Sequence, residues 1–339
     1  MADATSVAGD ALWHAHRYDP VYDAFHFRPI RRDLHRSATF LTDDYLPAGD
    51  PPVVVKRVDA IATAPQPAPL HFIFHSAFCC STLLARAFDI HGVSMGLKEP
   101  VVFNDLSGWK HRGGKPADIA RVLDSALTLL ARPFAPGEAV IIKPSNIIAP
   151  LMAVTLAMRP NSHALFLEAP LRTYLSSIAK KEMTGRLWVR DLLVKLLRDG
   201  LIDLGFEAED FLGQTDLQVA AVGWLAQHAL FARIAAQYPD RTRTLDSETL
   251  LSHPAECLGA LARLYGLPLD DLAIAEIVAG PAFTEHSKHG AAFGRDDRAA
   301  EYRDAAAAHS DEIEKAAIWA EAVAKTAGVS MKLPLPLLG

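Results

Sequence analysis

Residues 71–88 read HFIFHSAFCCSTLLARAF, and their order decides the fold. Five residues suited to a buried strand, His71 to His75, run into a short loop. Ser81 and Thr82 then open a helix whose apolar side carries Leu83, Leu84, Ala87 and Phe88. Strand, tight loop and helix in that order aim backbone N–H groups at one point, where the helix dipole also favours negative charge. Hydroxyls in the first helical turn add donors, so the natural guest is a phosphate or sulfate group. An ordinary buried strand–helix corner would show the same pattern.

Outward from this stretch, strand signals recur in HFIFH (71–75), VSMGLKE (93–99), AVIIK (139–143), HALFLE (163–168) and RTRTLDSE (241–248). Helical patterns fill the intervals at roughly 81–90, 116–132, 148–158, 171–181, 186–203, 217–237 and 249–265. The alternation predicts an α/β fold with a mostly parallel central sheet and helices on both faces. Ligands of open parallel sheets sit outside the carboxyl ends of the strands. Those ends are His75, Lys98–Glu99, Lys143, Glu168 and Asp246–Glu248. The first four, polar after an apolar run, gather near the loop: two lysines, a histidine and two acids round an anion-binding loop describe a phosphoryl- or sulfuryl-transfer site.

The bulk numbers narrow the classes. The chain has 339 residues, 50% of them apolar, enough for one large α/β domain or two smaller ones. A net charge of −6 argues against a general nucleic-acid binder. Three cysteines, two of them adjacent, make no disulfide framework and point to a reducing compartment. The opening MADATSVAGDALWHAHRYD has neither a basic n-region nor an apolar h-region. No apolar run approaches the ~20 residues that span a bilayer. The expectation is a soluble, cytoplasmic protein with no membrane span and no nucleic-acid partner. The Pro/Ala connector IATAPQPAP suggests a division into three parts. Residues 1–69 form an N-terminal extension, with a short strand in FHFRPI and a helix in RRDLHRSATFLTDDYL. Residues 70–298 form the core domain, and 299–339 a helical tail that ends in MKLPLPLLG.

The loop departs from two familiar phosphate loops. An ATP-binding loop needs glycines and a Lys just before the Ser/Thr; here Cys80 holds the Lys position and His75 the first Gly position. Cys80 and Arg86 have the spacing of a cysteine–arginine phosphatase loop, with a helix N-terminus able to lower the thiol pKa. The residues between them lack glycine and read as helix.

The stretch resembles instead the 5′-phosphosulfate loop of sulfotransferases, often Gly-x-x-x-Ser-Gly-Thr-Thr-Leu-Leu before a helix. Ser81, Thr82, Leu83, Leu84 and Arg86 fit it, whereas His75, Phe78 and Cys80 depart from it. A second block, HALFLEAPLRTYLSSIAKK (163–181), is similar to the family's strand–Arg-x-Pro–helix segment that binds the 3′-phosphate of the donor. Ser176 matches the family's Ser. Glu168 stands at the Arg position, and Arg172, one turn before Ser176, is the available substitute. A third block, RTRTLDSETLLSHPAECLGALARLYGLPLDD (241–271), fits through Glu248, Leu250, Leu251, Pro254 and Gly266-Leu267-Pro268. Trp224 sits where the family often has a helix Trp, although a core aromatic would read alike. A fourth, PAFTEHSKHGAAFGRDD (281–297), offers Ser287, Lys288 and His289, with Arg295 nearby, as a basic closing loop. Together the blocks cover about 70–290.

The resemblance implies a P-loop three-layer sandwich and sulfuryl transfer from 3′-phosphoadenylyl sulfate to a hydroxyl or amine of a small-molecule acceptor. The donor would lie on Ser76, Ala77, Phe78, Cys79, Cys80, Ser81 and Thr82, with Arg172, Ser176 and Lys288 toward its 3′-phosphate. Lys143, and after it Lys98, would neutralise the leaving group. Glu99 is the first candidate base and His75 the alternative, with a pKa naturally near neutrality. No metal is required. The acceptor pocket falls to 1–50 and 183–215. The rival readings are a P-loop kinase or ATPase, a cysteine phosphatase and a catalytically silent nucleotide-binding module.

Overall fold

The computed structural model describes residues 4–285 and 295–339. Its strands are β1 (Trp13–Asp19), β2 (Ala24–Pro29), β3 (Val53–Lys56), β4 (Leu70–His75), β5 (Ser94–Lys98), β6 (Ala139–Lys143), β7 (Ala164–Glu168) and β8 (Thr242–Asp246). Strands β1 to β3 make a small sheet; β4 to β8 make a parallel sheet in the order β5-β6-β4-β7-β8, flanked by helices. All six residues of β4 and all five of β5 and of β6 are buried, as continuous apolar strands covered on both faces must be. The chain divides into two compact units: 1–74, 81–164 and 261–277, and 75–80, 165–260 and 278–339.

In the first unit β1 and β2 pair antiparallel, as do β2 and β3. Only β2 was legible from sequence. Strand β1, WHAHRYD, turns imidazoles inward, so His14 and His16 are buried where a hydropathy pattern sees polar residues. The helix read from RRDLHRSATFLTDDYL covers only Arg32–Ser37, because Ala38 turns extended at φ −60°, ψ 134°. Behind the sheet, the Arg132 guanidinium donates to the carbonyls of Val7, Ala8, Asp10 and Trp13 at 2.7 to 3.1 Å and pins the start of the chain.

Parallel β5 and β6 align Lys98 with Lys143, and β6 aligns Ile142 with Phe72 of β4. Helix Ser81–Ala87 packs so closely on β5 that a Cβ on Gly96 would lie 2.5 Å from the Ala85 carbonyl. A glycine inside a strand marks such an approach. Tyr265, at the end of helix Pro254–Tyr265, donates its hydroxyl to the Phe72 carbonyl at 3.0 Å and stacks on His71.

In the second unit, helices Leu171–Lys180, Glu182–Arg198, Asp216–Gln237 and Arg295–Ala327, the last broken at His309, pack together. Thr215 opens Asp216–Gln237 with a reciprocal capping box to Gln218. This helix is long and apolar enough to cross a membrane, which corrects the reading that no such run exists, and most of it is buried inside the protein. Strand β8 stops sooner than the sequence suggests. The Asp246 carboxylate accepts the N–H groups of Glu248 and Thr249 at 3.0 and 2.8 Å and starts helix Ser247–Ser252. The segment after Lys332 returns beside β8: the Thr244 N–H donates to the Leu335 carbonyl at 2.9 Å, and the Leu337 N–H to the Thr244 carbonyl at 2.8 Å. Backbone groups that would otherwise be open are thereby paired.

Candidate functional site

The loop after β4 has an unusual backbone. Ala77, Phe78 and Cys80 occupy the left-handed region, at φ 71°, 52° and 63°, and none is glycine. Each costs on the order of 1 kcal/mol, which the surroundings must offset. Such turns gather successive N–H groups into an anion-binding concavity. Two of the amides are engaged inside the protein: Ser76 N–H donates to the Leu167 carbonyl at 3.1 Å, and Ala77 N–H to His75 Nδ1 at 3.0 Å. The Cys79 thiol also donates to Leu167, at 3.4 Å. The Phe78 ring leaves the loop to pack against Tyr174 and the edge of Trp188, under the Lys181 ammonium. The bulky residue at this position therefore anchors the loop. With Nδ1 accepting, a neutral His75 carries its proton on Nε2 and serves as a donor. Ser81 and Thr82 are buried at the opening of helix Ser81–Ala87.

At the carboxyl ends of β5 and β6, Glu99 and Lys143 form a salt bridge. Glu99 is itself left-handed at φ 53°, and its N–H donates to the Lys143 carbonyl at 2.7 Å. The Lys143 ammonium lies 4.8 Å from the Phe40 ring centroid, a cation–π contact in a buried place. Lys98 points elsewhere: its ammonium donates to the Arg36 carbonyl at 2.8 Å. Burial pulls its pKa down to about 8, against the attraction of Asp89. The structure thus brings Glu99 and Lys143 together and sets Lys98 apart.

Of the residues read toward a 3′-phosphate, Arg172 carries ion pairs to the C-terminal helix. Arg172 Nε and Nη2 grip Glu314 at 2.8 and 2.7 Å, and Nη1 reaches Glu321 at 2.7 Å. Two carboxylates thus balance its charge, and the residue ties helix Leu171–Lys180 to helix Arg295–Ala327. Ser176 is buried, and its Oγ has no hydrogen-bond partner among the described residues. Lys288 lies outside the described residues, as do Ser287 and His289.

Sequence reasoning missed the role of His228. Its Nδ1 lies 2.5 Å from Glu168 Oε2, and its ring stacks on Trp224 at 4.4 Å. The Trp224 indole N–H donates to the Ala169 carbonyl at 2.8 Å. Burial raises the Glu168 pKa, and the His228 contact opposes the rise. The available signal was the i, i+4 spacing of Trp224 and His228 on one helix face. Glu168 and Trp224 line a cavity of about 560 Å³ whose other walls include Leu171, Asp246, Leu333 and Leu337.

No family model matches the chain, and no curated protein matches it. Among solved structures, it is similar to the sulfotransferase domain from the curacin biosynthetic pathway. Identity is 13% and the TM-score 0.43, over 80% of this chain and 100% of that one. It is also similar to the sulfotransferase domain from the Synechococcus PCC 7002 olefin synthase. There identity is 12% and the TM-score 0.38, over 67% of this chain and 81% of that one.

Proposed function

We propose that this chain transfers a sulfuryl group from a nucleotide phosphosulfate, 3′-phosphoadenylyl sulfate in the family it resembles, to a hydroxyl or amine of a small molecule. The observation that carries the reading is the Glu99–Lys143 pair at adjacent carboxyl strand ends, with β6 running beside the strand that enters the loop. The Lys143 ammonium supplies the fixed positive charge that group transfer from an anion needs. Glu99 accepts the proton of the attacking hydroxyl or amine, and Lys143 holds its carboxylate in place. His75, with Nε2 protonated, adds a hydrogen-bond donor at the loop. Glu182–Arg198 exposes Met183, Leu187, Val194 and Leu197, an apolar surface suited to the acceptor side. The net negative charge accords with a small molecule as the partner.

Transfer of labelled sulfate from donor to an acceptor panel tests the reading. Glu99→Gln is expected to lower kcat by about 10² to 10⁴ while nucleotide binding survives. An unchanged kcat would remove Glu99 from the role of base. Phe78 where the family often has a basic residue, with Glu168 at its Arg position, favours a second reading, a nucleotide-binding module without turnover. That reading predicts donor binding and no transfer to any acceptor.

A further inference from the structure

We infer that the cavity at the carboxyl ends of β7 and β8 takes a nucleoside whose ribose hydroxyls are unphosphorylated, with the Glu168 carboxylate as their acceptor. The inference rests on the sulfuryl-transfer reading and names the donor class: an adenosine 5′-phosphosulfate type, without the 3′-phosphate.

Position comes first. Leu167 receives the Ser76 amide and the Cys79 thiol through its carbonyl, and the next residue, Glu168, lines the cavity. The anion-binding loop and the cavity thus meet at the end of one strand. A molecule with its anionic end on the loop presents its other end to Glu168.

Charge decides what that end can be. The Glu168 side chain is only 12% exposed and is oriented by His228 through one oxygen, Oε2. Asp246 lines the same cavity at the end of the neighbouring strand β8, with its carboxylate held by the Thr249 hydroxyl at 2.6 Å as well as by backbone N–H groups. Arg172 is offset by Glu314 and Glu321, and Lys332 is exposed at the rim. A phosphate placed here would face a desolvated carboxylate with no uncompensated buried cation beside it among the described residues, and like charges so placed repel strongly. A hydroxyl donates to the same carboxylate favourably. An acidic side chain that takes ribose hydroxyls, where an arginine would take a phosphate, is the discrimination known from dinucleotide sites.

The walls fit the rest of the ligand. Trp224, Leu171, Pro170, Leu333 and Leu337 present a largely apolar lining, and a volume of about 560 Å³ admits a purine with its sugar.

Calorimetric titration of the full chain with AMP, adenosine 3′,5′-bisphosphate and the 2′,3′-dideoxy analogue of AMP tests this without any mutation. AMP is expected to bind at least about tenfold tighter than the bisphosphate, and the dideoxy compound about tenfold weaker than AMP. Glu168→Gln keeps a hydrogen-bonding partner for His228 and is expected to shrink the preference for AMP over the bisphosphate by about tenfold. If the bisphosphate binds as tightly as AMP or tighter, this inference falls and the sulfotransferase reading stands with its usual donor; if AMP stays preferred and the Gln variant leaves the ratio unchanged, the inference falls because Glu168 does not set the preference. If none of the three nucleotides binds, the reading and the inference fall together.

Discussion

Glu99 and Lys143 show how one pair can be both structural and chemical. Lys143 is 1% exposed at its side chain and Glu99 17%, so neither charge is well solvated without the other. Lys143→Met takes the buried ammonium from beside the Glu99 carboxylate, and the expected loss is on the order of 3 kcal/mol in a denaturant titration. The double variant Glu99→Gln, Lys143→Met removes both charges and is expected to be more stable than Lys143→Met alone. Simple additivity of the two single losses would contradict a coupled pair. This pair was legible in the sequence because each residue is polar directly after an apolar strand. His228 was not, because it lies on a helix whose other residues are mostly apolar and its partner is 60 positions away. Glu168 was seen only as a departure from an expected arginine, since a sequence does not show which side chain stands opposite.

Among the elements, the strand–loop–helix at 70–87 carries the tightest constraints. Gly96→Ala would push a Cβ into the Ala85 carbonyl, a backbone atom that cannot move alone. The expected result is a loss of about 2 kcal/mol or more, with weaker nucleotide binding as helix Ser81–Ala87 shifts; a neutral outcome would mean that the packing yields. Cys80→Gly relieves a left-handed residue and is expected to raise stability by about 0.5 to 1 kcal/mol. Unchanged unfolding midpoints would refute the strain. Four of the five strands of the parallel sheet were readable because each is a short apolar run between helical stretches; the fifth, TRTLD, followed from the same alternation of strand and helix. Strands β1 and β3 were not: one buries histidines and the other is four residues long. The pairing of 335–337 with β8 was also hidden, because prolines in LPLPLL argue against a strand while the intervening amides still bond.

The whole molecule should respond to acid through its buried imidazoles. Burial holds His35 down to about 3 and His71 to about 4, from the ordinary 6.5. Below pH 6.5 the unfolded chain takes up protons that the fold refuses, so stability falls as pH drops from 6.5 toward 4. By pH 5 the loss is about 2 kcal/mol for each of the two. Urea midpoints at pH 7 and pH 5 measure it, and His35→Leu should remove one share; midpoints that stay level would show that the imidazoles are not held neutral. Lys98, held at about 8, works at the other end. Its buried ammonium is disfavoured in the fold below that value, and stability rises as pH climbs from about 8 toward 10.5. The first compact unit is also discontinuous, closed by 261–277. Tyr265 bonds to Phe72 across 193 positions of sequence. At about 5 to 20 residues per second, a ribosome needs roughly 10 to 40 seconds between delivering the two. Over that interval the nascent chain holds an incomplete hydrophobic layer, so its yield should depend on translation speed and on the supply of chaperones.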